Sequence, residues 1–339
     1  MIRSGGVVLL VVLLAWSCAA QDVTQAEIVR QFFPPRLVSG SDLKAGFALG
    51  TLDSDFVATD FDKSNNGNAG RKYLVAAYSN AWRGAVRVLQ RNGNDWSLAS
   101  ETPIRAGGVR GIELRDLDGD GIPEIAVTFT ATAGRFEATW LFQWSGSRLI
   151  SLLDAPGKAS ATTNPSPFDI DDYLDLDGDG KSEVIARTVI HDTRDLPPGG
   201  DEAPPDTVQF SAYRFSGGFY QPWKDLVAYK DFVPHGHHDS APYVETFSAP
   251  TTTAHYVLRI VRSGFSKSWS IISATIRLNG AVVADDSAFR EKLVVITIPV
   301  GLQADNTLAV SELVVEGDES TTGQVVRDIP RLVIAVEAQ

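Results

Sequence analysis

A single cysteine, Cys18, stands in 339 residues, so no disulfide within the chain can hold it together. Basic residues are outnumbered: 30 Lys and Arg against 42 Asp and Glu give a net charge of −12, and no basic cluster tracks a phosphate backbone. Nucleic acid is excluded as a partner on that ground. Beyond the N-terminus there is no apolar run long enough to span a bilayer. No Walker loop, GxSxG elbow, HExxH or dinucleotide fingerprint occurs, and the glycine run Gly107-Gly108-Val109-Arg110-Gly111 precedes a strand pattern rather than a helix. Long helix-favouring stretches are scarce too, while 29 glycines and 17 prolines supply turns. What remains, 44% hydrophobic and 21% charged, is the composition of a folded all-β protein.

The first twenty residues read as an export signal: Arg3 is followed by an apolar run over 7–15, too short for a membrane span. Two processing routes stay open. Cys18-Ala19-Ala20 offers small residues for cleavage before Gln21, and Ala15-Trp16-Ser17-Cys18 resembles a lipobox, with cleavage before Cys18 and acylation of its thiol. Either route predicts an exported protein, periplasmic, cell-surface or extracellular, with membrane attachment only through a lipid anchor at Cys18.

The chain repeats itself. Residues 111–130 read GIELRDLDGDGIPEIAVTFT and 170–190 read IDDYLDLDGDGKSEVIARTVI, aligning without a gap from Asp116 and Asp175 onward. A degraded third copy lies at 55–78, and 56 residues separate Asp60 from Asp116 while 59 separate Asp116 from Asp175. Each copy continues into an apolar strand, a second strand and a hairpin: Leu89-Gln90-Arg91-Asn92-Gly93, Phe142-Gln143-Trp144-Ser145-Gly146 and Tyr213-Arg214-Phe215-Ser216-Gly217. The unit is a small β-meander.

The DLDGDG pattern followed by an acid and an apolar strand resembles the FG-GAP or VCBS repeat of integrin-type and bacterial surface β-propellers, over roughly 45–225. The resemblance implies a propeller-like domain at 28–230 with three visible repeats. A closed propeller needs four or more blades, so either the flanks around 28–50 and 225–250 complete a fourth blade or the array stays open.

The acids have their own chemistry. A hard dication such as calcium takes six to eight oxygens, and alternating carboxylates on a tight loop supply them. In one loop the donors are Asp116, Asp118, Asp120, the Ile122 carbonyl and Glu124; in the other they are Asp175, Asp177, Asp179, the Lys181 carbonyl and Glu183. Gly119 and Gly121 let the first loop curl inward. The last acid falls at loop position nine and leads into a β pattern, which excludes an EF-hand. In the first copy Asp60 and Asp62 remain, but Lys63 replaces glycine, Asn65, Asn66 and Asn68 are inserted, and Lys72 or Tyr73 stands at the ninth position. That loop is expected to hold metal weakly or not at all.

A proline-rich surface loop is expected at 192–207, followed by a connector at 231–251 that carries His235, His237, His238 and Asp239. From 252 to 339 the chain alternates again, at Tyr256-Leu258-Ile260, Ile276-Leu278, Val295-Thr297, Leu308-Val310 and Leu332-Ile334-Val336, with Asn279-Gly280 a type I′ hairpin signal. Five short strands in this length predict an immunoglobulin-like β-sandwich. The reading is a non-catalytic, calcium-stabilised repeat protein that presents a binding or adhesion surface to an extracellular protein or glycan. Two rivals stand beside it. One is a carbohydrate-binding accessory protein using Trp82, Trp96, Trp144 or Tyr220 as stacking platforms; the other is a metal-dependent hydrolase built on His235, His237 and His238.

Overall fold

The structure is a computed structural model that describes residues 25–37, 53–61, 72–80, 83–104, 108–131, 136–153, 168–190, 207–234, 238–239, 241–251, 254–263, 269–290, 294–317 and 330–339. The chain is all-β, as expected. Its strands form four sheets, none closed on itself among the described residues. Among the described residues helix is limited to α1 (25–31), a 3₁₀ turn at Pro35–Leu37 and α2 (Asp286–Phe289). No described helix is long and apolar enough to cross a membrane. The expected export signal, with Cys18, lies outside the described residues.

The described residues fall into two compact units, one running to Asp169 and the other from Ile170, with Leu117–Gly119 counted in the second. The first unit holds two antiparallel meanders. One runs through β1 (Asp53–Thr59), β2 (Tyr73–Ser79), β3 (Gly84–Asn92) and β4 (Asp95–Ile104). The other runs through β5 (Val109–Arg115), β6 (Glu124–Ala131), β7 (Phe136–Trp144) and β8 (Leu149–Ser151). Alternate residues of their central strands share one core: Val75, Ala77, Val86 and Val88 from the first sheet, Ile125, Val127, Phe129, Trp140 and Phe142 from the second. The YLVAAYS run of β2 lacks polar alternation because its other face is covered as well. There Leu74, Ala76 and Tyr78 pack against Val29 and Leu37, and the buried Tyr78 hydroxyl donates to the Val29 carbonyl at 2.9 Å.

The second unit opens with a third meander, β9 (Ile170–Leu174), β10 (Glu183–Ile190), β11 (Thr207–Ser216) and β12 (Phe219–Phe232). The 14-residue β12 does two jobs: residues 219–226 pair with β11, and residues 226–232 pair with β20 (Arg331–Ala338). β20 pairs in turn with β15 (Tyr256–Ser263), and that strand with β18 (Val295–Val300), completing a seven-stranded sheet. A second sheet contains β13 (His238–Asp239), β14 (Tyr243–Ser248), β16 (Trp269–Leu278), β17 (Ala281–Ala284) and β19 (Asp305–Gly317). Leu258, Ile260, Ile334 and Val336 of the larger sheet meet Ile271, Ile276, Leu308 and Val310 of the smaller in one core. Asn279 and Gly280 join β16 to β17 with φ of 53° and 82°, the two left-handed residues of a type I′ turn.

The units do not divide where the repeats end. The third meander is counted with the sandwich, in the unit that begins at Ile170, and β12 runs on past Pro222 and a register shift in each of its ladders to pair with the meander at one end and with β20 at the other. The described residues among 225–250 supply part of β12 and the strands β13 and β14, which pair with β19.

A charged network ties the shared sheet. The Tyr229 hydroxyl donates to Asp172 Oδ2 at 2.6 Å, and Arg331 pairs with Asp172 and, at 3.1 Å, with Asp231. Ile334→Ala should lower unfolding free energy by about 2–5 kcal/mol, since Ile334 is fully buried, and Tyr229→Phe by about 1.5–3 kcal/mol, the usual range for a hydrogen bond to a charged group. Urea unfolding followed by circular dichroism checks both; losses below 0.5 kcal/mol would contradict the packing described.

Candidate metal centres

The two acidic loops occupy equivalent places, each linking the first and second strands of a meander: 116–123 between β5 and β6, and 175–182 between β9 and β10. Register fixes the equivalence. Arg115 faces Glu124 and Leu174 faces Glu183 across their strand pairs, so each glutamate is the first residue of a second strand. In the first meander the corresponding pair is Thr59 and Tyr73.

Each loop begins Asp, apolar, Asp. The apolar residue is the plug: Phe61, Leu117 and Leu176 are 8%, 2% and 0% exposed. Burying it forces the flanking aspartates to the same outer side of the turn. The loop then closes on its own backbone. Gly121 N–H donates to Asp116 Oδ2 at 2.9 Å and Ile122 N–H to Asp120 Oδ1 at 2.6 Å. In the other loop Gly178 and Gly180 donate to the two oxygens of Asp175 at 2.7 and 3.0 Å, Asp179 to Asp177 Oδ1 at 3.0 Å, and Lys181 to Asp179 Oδ1 at 2.9 Å. Such Asx turns need left-handed backbone at the glycines, and Gly119, Gly121, Gly178 and Gly180 have φ of 72°, 81°, 81° and 86°.

This closure draws carboxylates together. Ligand atoms of Asp116, Asp118 and Glu124 lie within 4.8 Å of one another, and so do those of Asp175, Asp177 and Glu183. Of the residues expected from the sequence, Asp120 and Asp179 sit outside these triads on the exposed turn, each with an oxygen engaged by a backbone N–H. Glu124 and Glu183 are 1% exposed. Burial pushes the Glu183 carboxyl up to about 7; the Leu176 N–H at 2.8 Å opposes the rise, and Asp179 and Asp175 add to it. A cation among these oxygens would remove that penalty. The donor set is all oxygen and three carboxylates deep, which fits a hard dication rather than zinc or copper.

The remaining candidates fare differently. At the ninth position of the first loop the strand register places Tyr73, whose ring packs against Phe61 at 5.3 Å and Trp144 at 5.8 Å. Where the other meanders set a buried acid, the first sets an aromatic cluster. Asp62 and the inserted asparagines lie outside the described residues, as do Trp82, His235, His237 and the 192–206 loop. His238 belongs to β13 opposite Val314. Trp144 and Tyr220 are 6% and 2% exposed, so they plug the core and cannot stack on a ligand from solvent. Trp96 is half-buried and lines a cleft of about 780 Å³ with Gln25, Gln31, Arg91, Asn94 and Asp95.

Arg214 was not singled out from the sequence. It pairs with Asp177, places Nε 3.6 Å from Glu183 Oε1, and stacks on Trp223 at 4.6 Å. The signal was available: aligned on their hairpins, the repeats carry Gln90, Gln143 and Arg214 at one position, and only the last is charged.

No family model and no curated protein matches the chain. Among solved structures it is similar over 84% of its length to an exo-β-1,3-galactanase from Phanerochaete chrysosporium, at 14% identity and a TM-score of 0.23, covering 68% of that chain. It is similar over the same share to a GH31 α-xylosidase from Xanthomonas citri, at 8% identity and a TM-score of 0.16, covering 38% of that chain. Likeness at these scores carries no inference about fold or activity, and the function has to be argued from the chain's own residues.

Proposed function

We propose that the protein is a non-catalytic, exported, calcium-stabilised repeat protein that presents a binding or adhesion surface, with its meanders of the FG-GAP or VCBS type in a propeller-like array followed by an immunoglobulin-like sandwich. One observation carries the reading. Two loops at equivalent positions of successive meanders each bring ligand oxygens of three carboxylates within 4.8 Å of one another, one of the three residues at 1% exposure. Solvated turns have no reason to bury an acid twice in the same register. The full ligand sets are Asp116, Asp118, Asp120, the Ile122 carbonyl and Glu124, and Asp175, Asp177, Asp179, the Lys181 carbonyl and Glu183. Sites of this kind are saturated by protein oxygens and act as staples rather than as centres of chemistry. Dissociation constants near 10⁻⁴–10⁻³ M, common in extracellular modules, suit an exported chain.

A second reading, a carbohydrate-binding accessory protein, is favoured by the cleft that Trp96 lines together with carboxamide and carboxylate side chains, groups that match sugar hydroxyls. Retention on immobilised glycans that is lost in Trp96→Ala would support it. No described residue favours the hydrolase reading over these.

The calcium reading sets a magnitude. With a dissociation constant near 0.1 mM and about 2 mM free calcium, each site adds roughly 1.8 kcal/mol to the folded state. Chelation should then lower the melting temperature by several degrees. Asp118→Ala and Asp177→Ala should each remove part of the calcium-dependent rise, and Asp62→Ala should leave it nearly intact. Differential scanning calorimetry with calcium or EDTA decides it: identical melting curves in both would reduce the loops to turns.

A further inference from the structure

In the third meander an arginine stands beside the acidic loop. Arg214, on β11, reaches the oxygen side of the 175–183 loop, where its guanidinium pairs with Asp177 and its Nε approaches Glu183 Oε1 at 3.6 Å. Both acceptors belong to the carboxylate triad of that loop. The guanidinium is held from behind by the Trp223 ring, 4.6 Å from its centre, and Trp223 also faces Lys224 at 4.8 Å and Arg259 at 5.9 Å. Lys224 and Arg259 are committed elsewhere: both bind Glu337 Oε1, at 2.5 and 3.0 Å, and Arg259 Nη1 donates to the Leu176 carbonyl at 3.1 Å. Arg214 is therefore the member of this cationic group that addresses the loop carboxylates.

We propose that Arg214 is a built-in counter-cation of the 175–183 loop, competing with calcium for Asp177 and Glu183 and setting the affinity of that site. The proposal rests on the calcium reading of the loop and adds a property that the ligand pattern alone does not contain. Two cations cannot share these oxygens: the dication needs the carboxylates with which the guanidinium is now ion-paired, and like charges at contact distance repel. Metal entry has to break a charge-assisted pair and turn the guanidinium away, while its stack on Trp223 offers a place to keep it. The consequence is a loop that keeps its shape without metal and takes calcium only at higher concentration. At the aligned position the second meander carries Gln143, a neutral amide.

The test isolates one loop at a time. Calcium is titrated calorimetrically into full-length Asp118→Ala, in which the 116–124 loop is disabled, and into Asp118→Ala with Arg214→Gln. The added substitution is expected to tighten binding about ten-fold, equivalent to about 1.4 kcal/mol. Melting curves supply a readout that a merely structural arginine would not give: Arg214→Gln should destabilise the protein in EDTA and recover in millimolar calcium, whereas a packing role would lower both melts equally. Should Arg214→Gln fail to fold, the converse variant, Gln143→Arg in an Asp177→Ala background, is expected to weaken calcium binding at the 116–124 loop. Unchanged or weaker binding in Arg214→Gln, or unchanged binding in Gln143→Arg, would overturn the proposal while leaving the calcium reading standing. Absence of any calcium heat in the unaltered protein would overturn both.

Discussion

A carboxylate at 1% exposure stays ionised only if positive charge or hydrogen-bond donors meet it, and Glu124 and Glu183 place this demand at the head of the second strand in two meanders. The surrounding loop is organised to answer it. The apolar plug at Leu117 or Leu176 pulls the chain inward, the flanking aspartates turn outward, and glycines in the left-handed region let backbone N–H groups cap part of the carboxylate oxygen. The carboxylate oxygens that remain lie close enough together for one cation to meet them. In the first meander the same structural place is taken by Tyr73 against Phe61 and Trp144, so the demand is absent and ring packing closes the turn.

The rest of each unit follows from strand faces that are covered on both sides. The central strands β2 and β3 lose their alternation because residues of both parities are buried, and β20 places Leu332, Ile334 and Val336 in one core while Val333 and Ala335 enter another. A strand with two apolar faces needs partners on both, and β20 finds its lateral neighbours in β12 and β15. That pairing on both edges puts the third meander and the sandwich in one sheet.

Much of this was legible in the sequence. The all-β class followed from turn-rich composition, and the places of the loops followed from the gapless alignment at Asp116 and Asp175. The strands of 252–339 followed from period-two alternation, and the Asn279-Gly280 turn from residues that tolerate positive φ. The division before Ile170 was hidden because a repeat ends in sequence where its last motif ends, whereas a strand such as β12 extends as far as it finds partners. Trp144 and Tyr220 were open to either a stacking or a core role, because aromatic residues are coded alike in a core and on a surface, and burial decides for the core. Arg214 was overlooked because it lies 31 residues from Glu183 and meets it only through the pairing of β10 with β11.

The central claim is that two loops, and not the general acidity of the surface, hold calcium. Equilibrium dialysis against radioactive calcium at physiological ionic strength tests it most directly, because diffuse attraction to a net charge of −12 is screened by salt and gives no defined stoichiometry. The account predicts saturation at two ions per chain, one for each triad. Binding that rises without a plateau, or no binding at millimolar calcium, would contradict it.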